Sequence, residues 1–273
     1  MSVMTKRGRA GRAALNLFAA FGFLYLFLPI AFIVAFSFND PQGKFNIVWS
    51  KFTLDNWKEP FSDRGLTDAF VTSLQIAAVS TLIATVLGSM IAIALSRYRF
   101  KGSAAYNFFL VLPLTTPEIV LGSSLATLFL GQSVVDFGFT TIVIAHAMFQ
   151  VSFVALTVRA RIRGFDWTLE QAAQDLGASP VRTFWKVTFP LILPGILAAS
   201  LLAFALSLDD FIITFFNAGS TLTFPLQIFG AARVQLPPQI NVLATVILVV
   251  TVAIMGTGSF MGERRRRRLG QTA

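Results

Sequence analysis

The sequence predicts an all-α membrane protein of six transmembrane helices with both termini cytoplasmic. Three observations carry the prediction. Of 273 residues, 55% are hydrophobic and only 13% are charged, against about a quarter charged in soluble domains. Mean hydropathy is +0.71. The positive charges sit in clusters between long apolar runs, as membrane proteins arrange them.

A bilayer-spanning helix needs about 20 apolar residues. Six stretches qualify, at about 13–38, 69–95, 108–130, 139–158, 191–216 and 240–260. The third is interrupted only by Glu118, and the fifth contains Asp209 and Asp210. Pro113 and Pro117 should kink or break the third span and free backbone carbonyls. After the fifth, Asn217 to Thr221 and Pro225 predict a turn and an interfacial piece rather than a seventh span.

Seventeen lysines and arginines fall on the side of the termini and five on the other, which makes the terminal side cytoplasmic. The first group includes Arg97, Arg99, Arg159, Arg161, Arg163 and the run from Arg264 to Arg268, a topology anchor against anionic lipid. The net charge of +9 and pI near 10.6 therefore do not indicate nucleic-acid binding. Without cysteine and with His146 as the single histidine, no thiolate or His-rich metal site can form. No nucleophile–base constellation appears, so catalytic and metal-binding residues are not expected.

The connection between spans four and five is too long for a simple turn. Thr168 to Leu176 favour helix, with Ala172, Ala173 and Leu176 on one strip. Gly177 suits a positive-φ C-terminal cap, Ser179 an N-cap and Pro180 the first helical position. The region 166–189 thus reads as two short helices at an angle, a geometry suited to docking. The chain contains no G-x-x-x-x-G-K-[ST] loop, so ATP is not bound here through that motif.

In this region the sequence resembles the membrane subunits of binding-protein-dependent ABC importers. Their signature is EAA, three residues, Gly, nine residues, then Ile-x-Leu-Pro. Gly177, Val187, Phe189 and Pro190 fall on that spacing, and Ala172 and Ala173 match the two alanines. The family glutamate is Gln171 here, with Glu170 one step earlier. WSKFTLDNW, LPLTTPEIV, LTVRARIRGFD and FALSLDDFIITFF look most like the second permease subunit of spermidine/putrescine transporters.

The resemblance implies a type I importer permease fold in the bacterial inner membrane, with a cytoplasmic coupling helix between spans four and five. It also implies an ATPase dimer holding ATP and Mg, a second permease and an extracytoplasmic solute-binding protein as partners. Glu170, Gln171, Ala172, Ala173, Asp175, Leu176 and Gly177 are the expected ATPase-docking residues. The outer loop from Asn39 to Asp68, with Phe52, Trp57 and Phe61, either meets the binding protein or packs on the outer face.

Ionisable groups inside spans are functional hypotheses. On the fifth span Gly195, Ala199, Ala203 and Ser207 form a small-residue face, and Asp210 falls on or beside it, with Asp209 rotated away. Asp210, Asp209, Glu118 and Phe211 are the candidate pathway residues. Carboxylates replace part of an ammonium's lost hydration and aromatic rings add cation–π attraction, so a polyamine fits. Three alternatives remain at this point: structural pairing of the aspartates, other small solutes of related permeases, and a proton-driven transporter using the same acids with His146.

Overall fold

A computed structural model describes residues 6–98, 101–132 and 135–253. Among them all extended regular structure is helical, and β-type pairing is limited to isolated bridges, Asn39 with Phe52 and Phe45 with Leu236. The helices are α1 (Lys6–Phe36), α2 (Asp55–Lys58), α3 (Arg64–Arg97), α4 (Ser103–Thr115), α5 (Glu118–Gln132) and α6 (Phe139–Ile162). They continue with α7 (Thr168–Asp175), α8 (Pro180–Thr183), α9 (Phe189–Asp209), α10 (Ile212–Asn217), α11 (Phe224–Ala231) and α12 (Pro238–Ala253). A π-helical stretch, Phe184–Thr188, joins α8 to α9.

Among the described residues, four helical segments are long and apolar enough to cross a bilayer: Ala14–Phe36, Arg64–Arg97, Phe139–Ile162 and Pro180–Asp209. The pair α4 and α5 is a fifth if counted as one broken span. At 34 residues α3 is about 50 Å long, well beyond a ~30 Å hydrocarbon core, so its ends project past the apolar layer. The sixth expected span begins with α12, and its end lies outside the described residues, as do Arg99 and Arg264 to Arg268.

One expectation is met and two are corrected. The third span breaks near Pro117 as expected: α4 ends at Thr115, Thr116 is extended, and α5 leaves at 106°. Pro117 forces this, because it disfavours helical backbone at the residue before it. The fifth span ends at Asp209, since Asp210 takes ψ 118 and α10 restarts at Ile212. The second short helix of the 159–190 connection is not separate, for α8 runs through the π stretch into α9 as one 30-residue segment.

The described residues form two compact units, one within 6–66 and 230–253 and the other within 67–229. In the first, buried Asn39 organises the loop after α1. Its amide donates to Asn46 Oδ1 (2.7 Å) and Val48 O (2.9 Å), while its carbonyl accepts from Ser50 N (2.8 Å). Asn46 donates in turn to Phe36 O, satisfying a carbonyl at the end of α1. Phe38 stacks on both Phe52 and Trp57.

The second unit is built around α6 and α9. Gly195, Ala199, Ala203 and Ser207 are all buried, so the small-residue face is the packing face. Ala84, Val154, Val158, Ile192 and Ile196 complete this core, into which α3 brings Gly88. A Cβ at Gly88 would lie 2.8 Å from Val154 Cβ and 2.9 Å from Val151 O, so only glycine permits the α3–α6 approach.

Candidate functional site

Two constellations in the second unit bring chemistry-bearing residues together. The first is α7 and its supports. Asp166 accepts from the Thr168 hydroxyl (2.8 Å) and the Thr168 amide (3.0 Å), which caps the start of the helix. Those donors, the hydroxyl first, hold the Asp166 carboxyl below its ordinary range. At the other end Gly177 has φ 85, and Gly177 N and Ala178 N donate to Gln174 O and Ala173 O, a Schellman closure. Ser179 then caps the next helix through Arg182 N, with Pro180 at its first position.

Glu170 does not share the exposed face of α7. It is 4% exposed, and its carboxylate meets Arg97 Nη2 at 2.9 Å and accepts the Thr188 hydroxyl. The Arg97 guanidinium also lies 5.8 Å from the Trp167 ring centroid, a cation–π distance. One carboxylate thus ties α7 to the end of α3 and to the start of α9. Of the remaining docking candidates, Gln171, Ala172, Asp175, Leu176 and Gly177 are exposed and Ala173 is half-buried. Leu176 is 90% exposed, an apolar side chain with no intrachain cover.

Nearby basic residues, expected as topology anchors, also make specific contacts. Arg159 donates to Asn107 Oδ1, joining α6 to α4, and the Arg161 stem lies against Gly195.

The second constellation sits at the break between α9 and α10. Asp210 Oδ1 accepts from Thr214 N (2.9 Å) and Thr214 Oγ1 (3.2 Å), so the carboxylate caps α10. His146, 3% exposed, bridges the break, with Nδ1 2.7 Å from Ser207 Oγ and Nε2 2.9 Å from Thr214 Oγ1. Ser80 Oγ on α3 lies 3.3 Å from Ser207 Oγ, and one turn along α6 Gln150 donates to Ala203 O.

The other candidate acids are more open. Asp209 and Glu118 are exposed, and Glu118, in the first turn of α5, is within electrostatic reach of both Asp210 and Asp209. Acids 91 and 92 residues apart in sequence are therefore brought near one another. Phe211 stands beside them, its ring 4.8 Å from Phe229 and 5.7 Å from Phe215. Helix α5 is held against α10 by Asn217, whose amide donates to Gly122 O, and by the missing side chain of Gly122 beside Ile213.

Ser80 and Thr214 were not singled out by the sequence. Hydroxyl residues are common in apolar helices, and nothing local distinguishes these two. The signal nearest to hand was His146 and Gln150, four residues apart on one face of α6 opposite the small face of α9.

Residues 84–268 match the family described as binding-protein-dependent transport system inner membrane component. The chain is 38% identical over 234 residues to the putrescine transport system permease protein PotI of Escherichia coli K12, covering 83% of each chain. It is 35% identical to the spermidine/putrescine transport system permease protein PotC of Haemophilus influenzae, covering 88% of this chain and 93% of that one. Among solved structures it superposes with TM-score 0.70 on a chain of a bacterial ABC transporter that imports the acidic polysaccharide alginate, at 15% identity over 94% of this chain and 99% of that one.

Proposed function

Because the chain belongs to the family of binding-protein-dependent transport system inner membrane components, we propose that it forms, with a second permease, the pathway of an ATP-driven importer for a polyamine. What supports the substrate class is the nearness of Glu118 to Asp209 and Asp210, with Phe211 following Asp210 in the chain. The stretch from Leu191 to Ala232, which holds both aspartates, contains no lysine or arginine. At 4 Å and an effective dielectric of 20, a carboxylate attracts an ammonium by about 4 kcal/mol, enough to offset part of the hydration lost on entering the pathway. The PotI and PotC relatives are permeases for putrescine and spermidine/putrescine, which agrees with this chemistry.

Energy enters from outside the chain. In this reading ATP and Mg bind an ATPase dimer, and α7 is the coupling helix that docks on it through Gln171, Ala172, Asp175, Leu176 and Gly177. Glu170 is the anchor that passes the movement on to α3 and α9. Rocking of these helices against the second permease gives alternating access. An extracytoplasmic binding protein delivers the solute. Helix α12 is the start of a sixth span, and both termini are cytoplasmic in a bacterial inner membrane, by the distribution of lysine and arginine.

The test is labelled putrescine uptake by cells carrying the complete transporter, with and without Asp210→Asn. The expected result is about a tenfold rise in KM with normal assembly. Unchanged uptake kinetics in the assembled variant overturn the cation-pathway assignment.

A further inference from the structure

We propose that His146 is a positioning residue for the cation pathway: by bridging Ser207 and Thr214 across the α9–α10 break, it fixes Asp210 with Oδ1 engaged and Oδ2 left for the solute. The inference rests on the assignment of Asp210 to that pathway.

The order of donors along the cluster follows from its end point. An ionised carboxylate only accepts, so the Thr214 hydroxyl hydrogen goes to Asp210 Oδ1. At 2.9 Å from His146 Nε2, Thr214 Oγ1 must then accept, which places the ring hydrogen on Nε2. The other ring nitrogen, Nδ1, meets the Ser207 hydroxyl, and Ser207 meets Ser80 in turn. The row thus reads Ser80, Ser207, His146, Thr214, Asp210, with Thr214 accepting from the ring and donating to the carboxylate.

His146 acts through Thr214. Its Nε2 lies 3.6 Å from Asp210 Oδ1, beyond hydrogen-bond length. Ser80 and Thr214 are 0% exposed and Ser207 is 6% exposed, so water does not substitute for a lost member. Mere attachment of α6 to α9 would not need this arrangement, because Gln150 already supplies it through Ala203 O, one turn away. The bond from Nε2 to Thr214 reaches past the end of α9 and engages the residue that holds the carboxylate twice. Both bonds land on Oδ1, from the Thr214 amide and the Thr214 hydroxyl, and Oδ2 takes neither.

The experiment measures KM and Vmax for putrescine uptake by the complete transporter in cells, with ATPase co-purification as the assembly control. The variants are His146→Leu, His146→Gln, Asp210→Asn and the double variant His146→Leu/Asp210→Asn. His146→Leu is expected to raise KM about tenfold with Vmax within twofold. His146→Gln, which can still donate to Thr214, recovers most of that loss, and His146→Leu adds nothing once Asp210 is Asn. An unchanged KM in His146→Leu, or a full additional effect in the double variant, overturns the positioning role while leaving Asp210 in the pathway. An Asp210→Asn variant without effect overturns both. Should His146→Leu fail to assemble, Ser207→Ala removes the Nδ1 partner at small volume cost: a severalfold rise in KM supports the role, and an unchanged KM overturns it.

Discussion

Arg97 at the end of α3 and Glu170 in the first turn of α7 meet at 2.9 Å across 73 residues of sequence. The carboxylate is buried and the guanidinium is about a third exposed. With Thr188 on the same carboxylate and Trp167 beneath the guanidinium, the pair makes α7 a rigid extension of two long helices. An exposed eight-residue helix would be marginal by itself, and a loosely held one could not transmit force.

Arg97→Ala therefore leaves Glu170 buried without its partner. Removing one member of a buried pair costs about 3–5 kcal/mol, and the partial exposure of Arg97 reduces this to roughly 2 kcal/mol. The expected outcome is a lower melting temperature of the detergent-solubilised complex, together with ATP hydrolysis poorly coupled to uptake. Glu170→Gln, which can still accept from Thr188, is expected to lose less.

Gly177→Val forces a β-branched residue into φ 85. The position is sterically open, with nothing within 4 Å of a Cβ, so the penalty is one of backbone conformation alone. It should be about 1–2 kcal/mol for the left-handed region and falls on the Schellman closure of α7. Reduced ATPase association in co-purification is the expected outcome, with Gly177→Asn retaining more of it.

Gly88→Ala tests the α3–α6 contact. Its methyl would press on Val154 and on the Val151 carbonyl, and overpacking of this kind costs about 1–3 kcal/mol. A drop in the melting temperature of the complex is expected, whereas Gly43→Ala, in open space, leaves it unchanged.

Asp166 gives α7 a pH dependence. Its folded pKa is depressed by the Thr168 donors, so its stabilisation is present above the unfolded value of about 3.9 and is lost as pH falls through the folded value. Amide exchange over α7 should accelerate in that acidic window beyond its intrinsic pH dependence. Asp166→Asn should remove the extra acceleration, as read by hydrogen-exchange mass spectrometry.

The α7 region was legible in the sequence because its signals are local. Gly177, Ser179 and Pro180 each fix a backbone state through their own chemistry, and all three stand in the predicted roles. The small face of α9 was legible for the same reason, as a period of four. The inward turn of Glu170 was not, since its partners Arg97 and Thr188 come from other helices and the EAA spacing gives no direction for the preceding residue. The break at Asp210 was hidden as well: apolar sequence continues through Phe216, and the helix stops because Asp210 caps α10 through Thr214, a preference that hydropathy does not register. The 106° bend at Thr116 was foreshadowed by Pro113 and Pro117, though its size depends on α5 packing against α10.

If α7 couples this chain to an ATPase, then Leu176, 90% exposed, is a side chain that the ATPase covers. Burying a leucine on a partner is worth about 1.5–3 kcal/mol. The measurement is purification of the tagged chain from its native membrane in mild detergent, with subunit counting by mass spectrometry, for the native sequence and for Leu176→Asp. The account predicts one second permease and two ATPase copies with the native chain, and loss of the ATPase but not the permease from Leu176→Asp. Recovery of the native chain without any ATPase, even after gentle crosslinking, would contradict it.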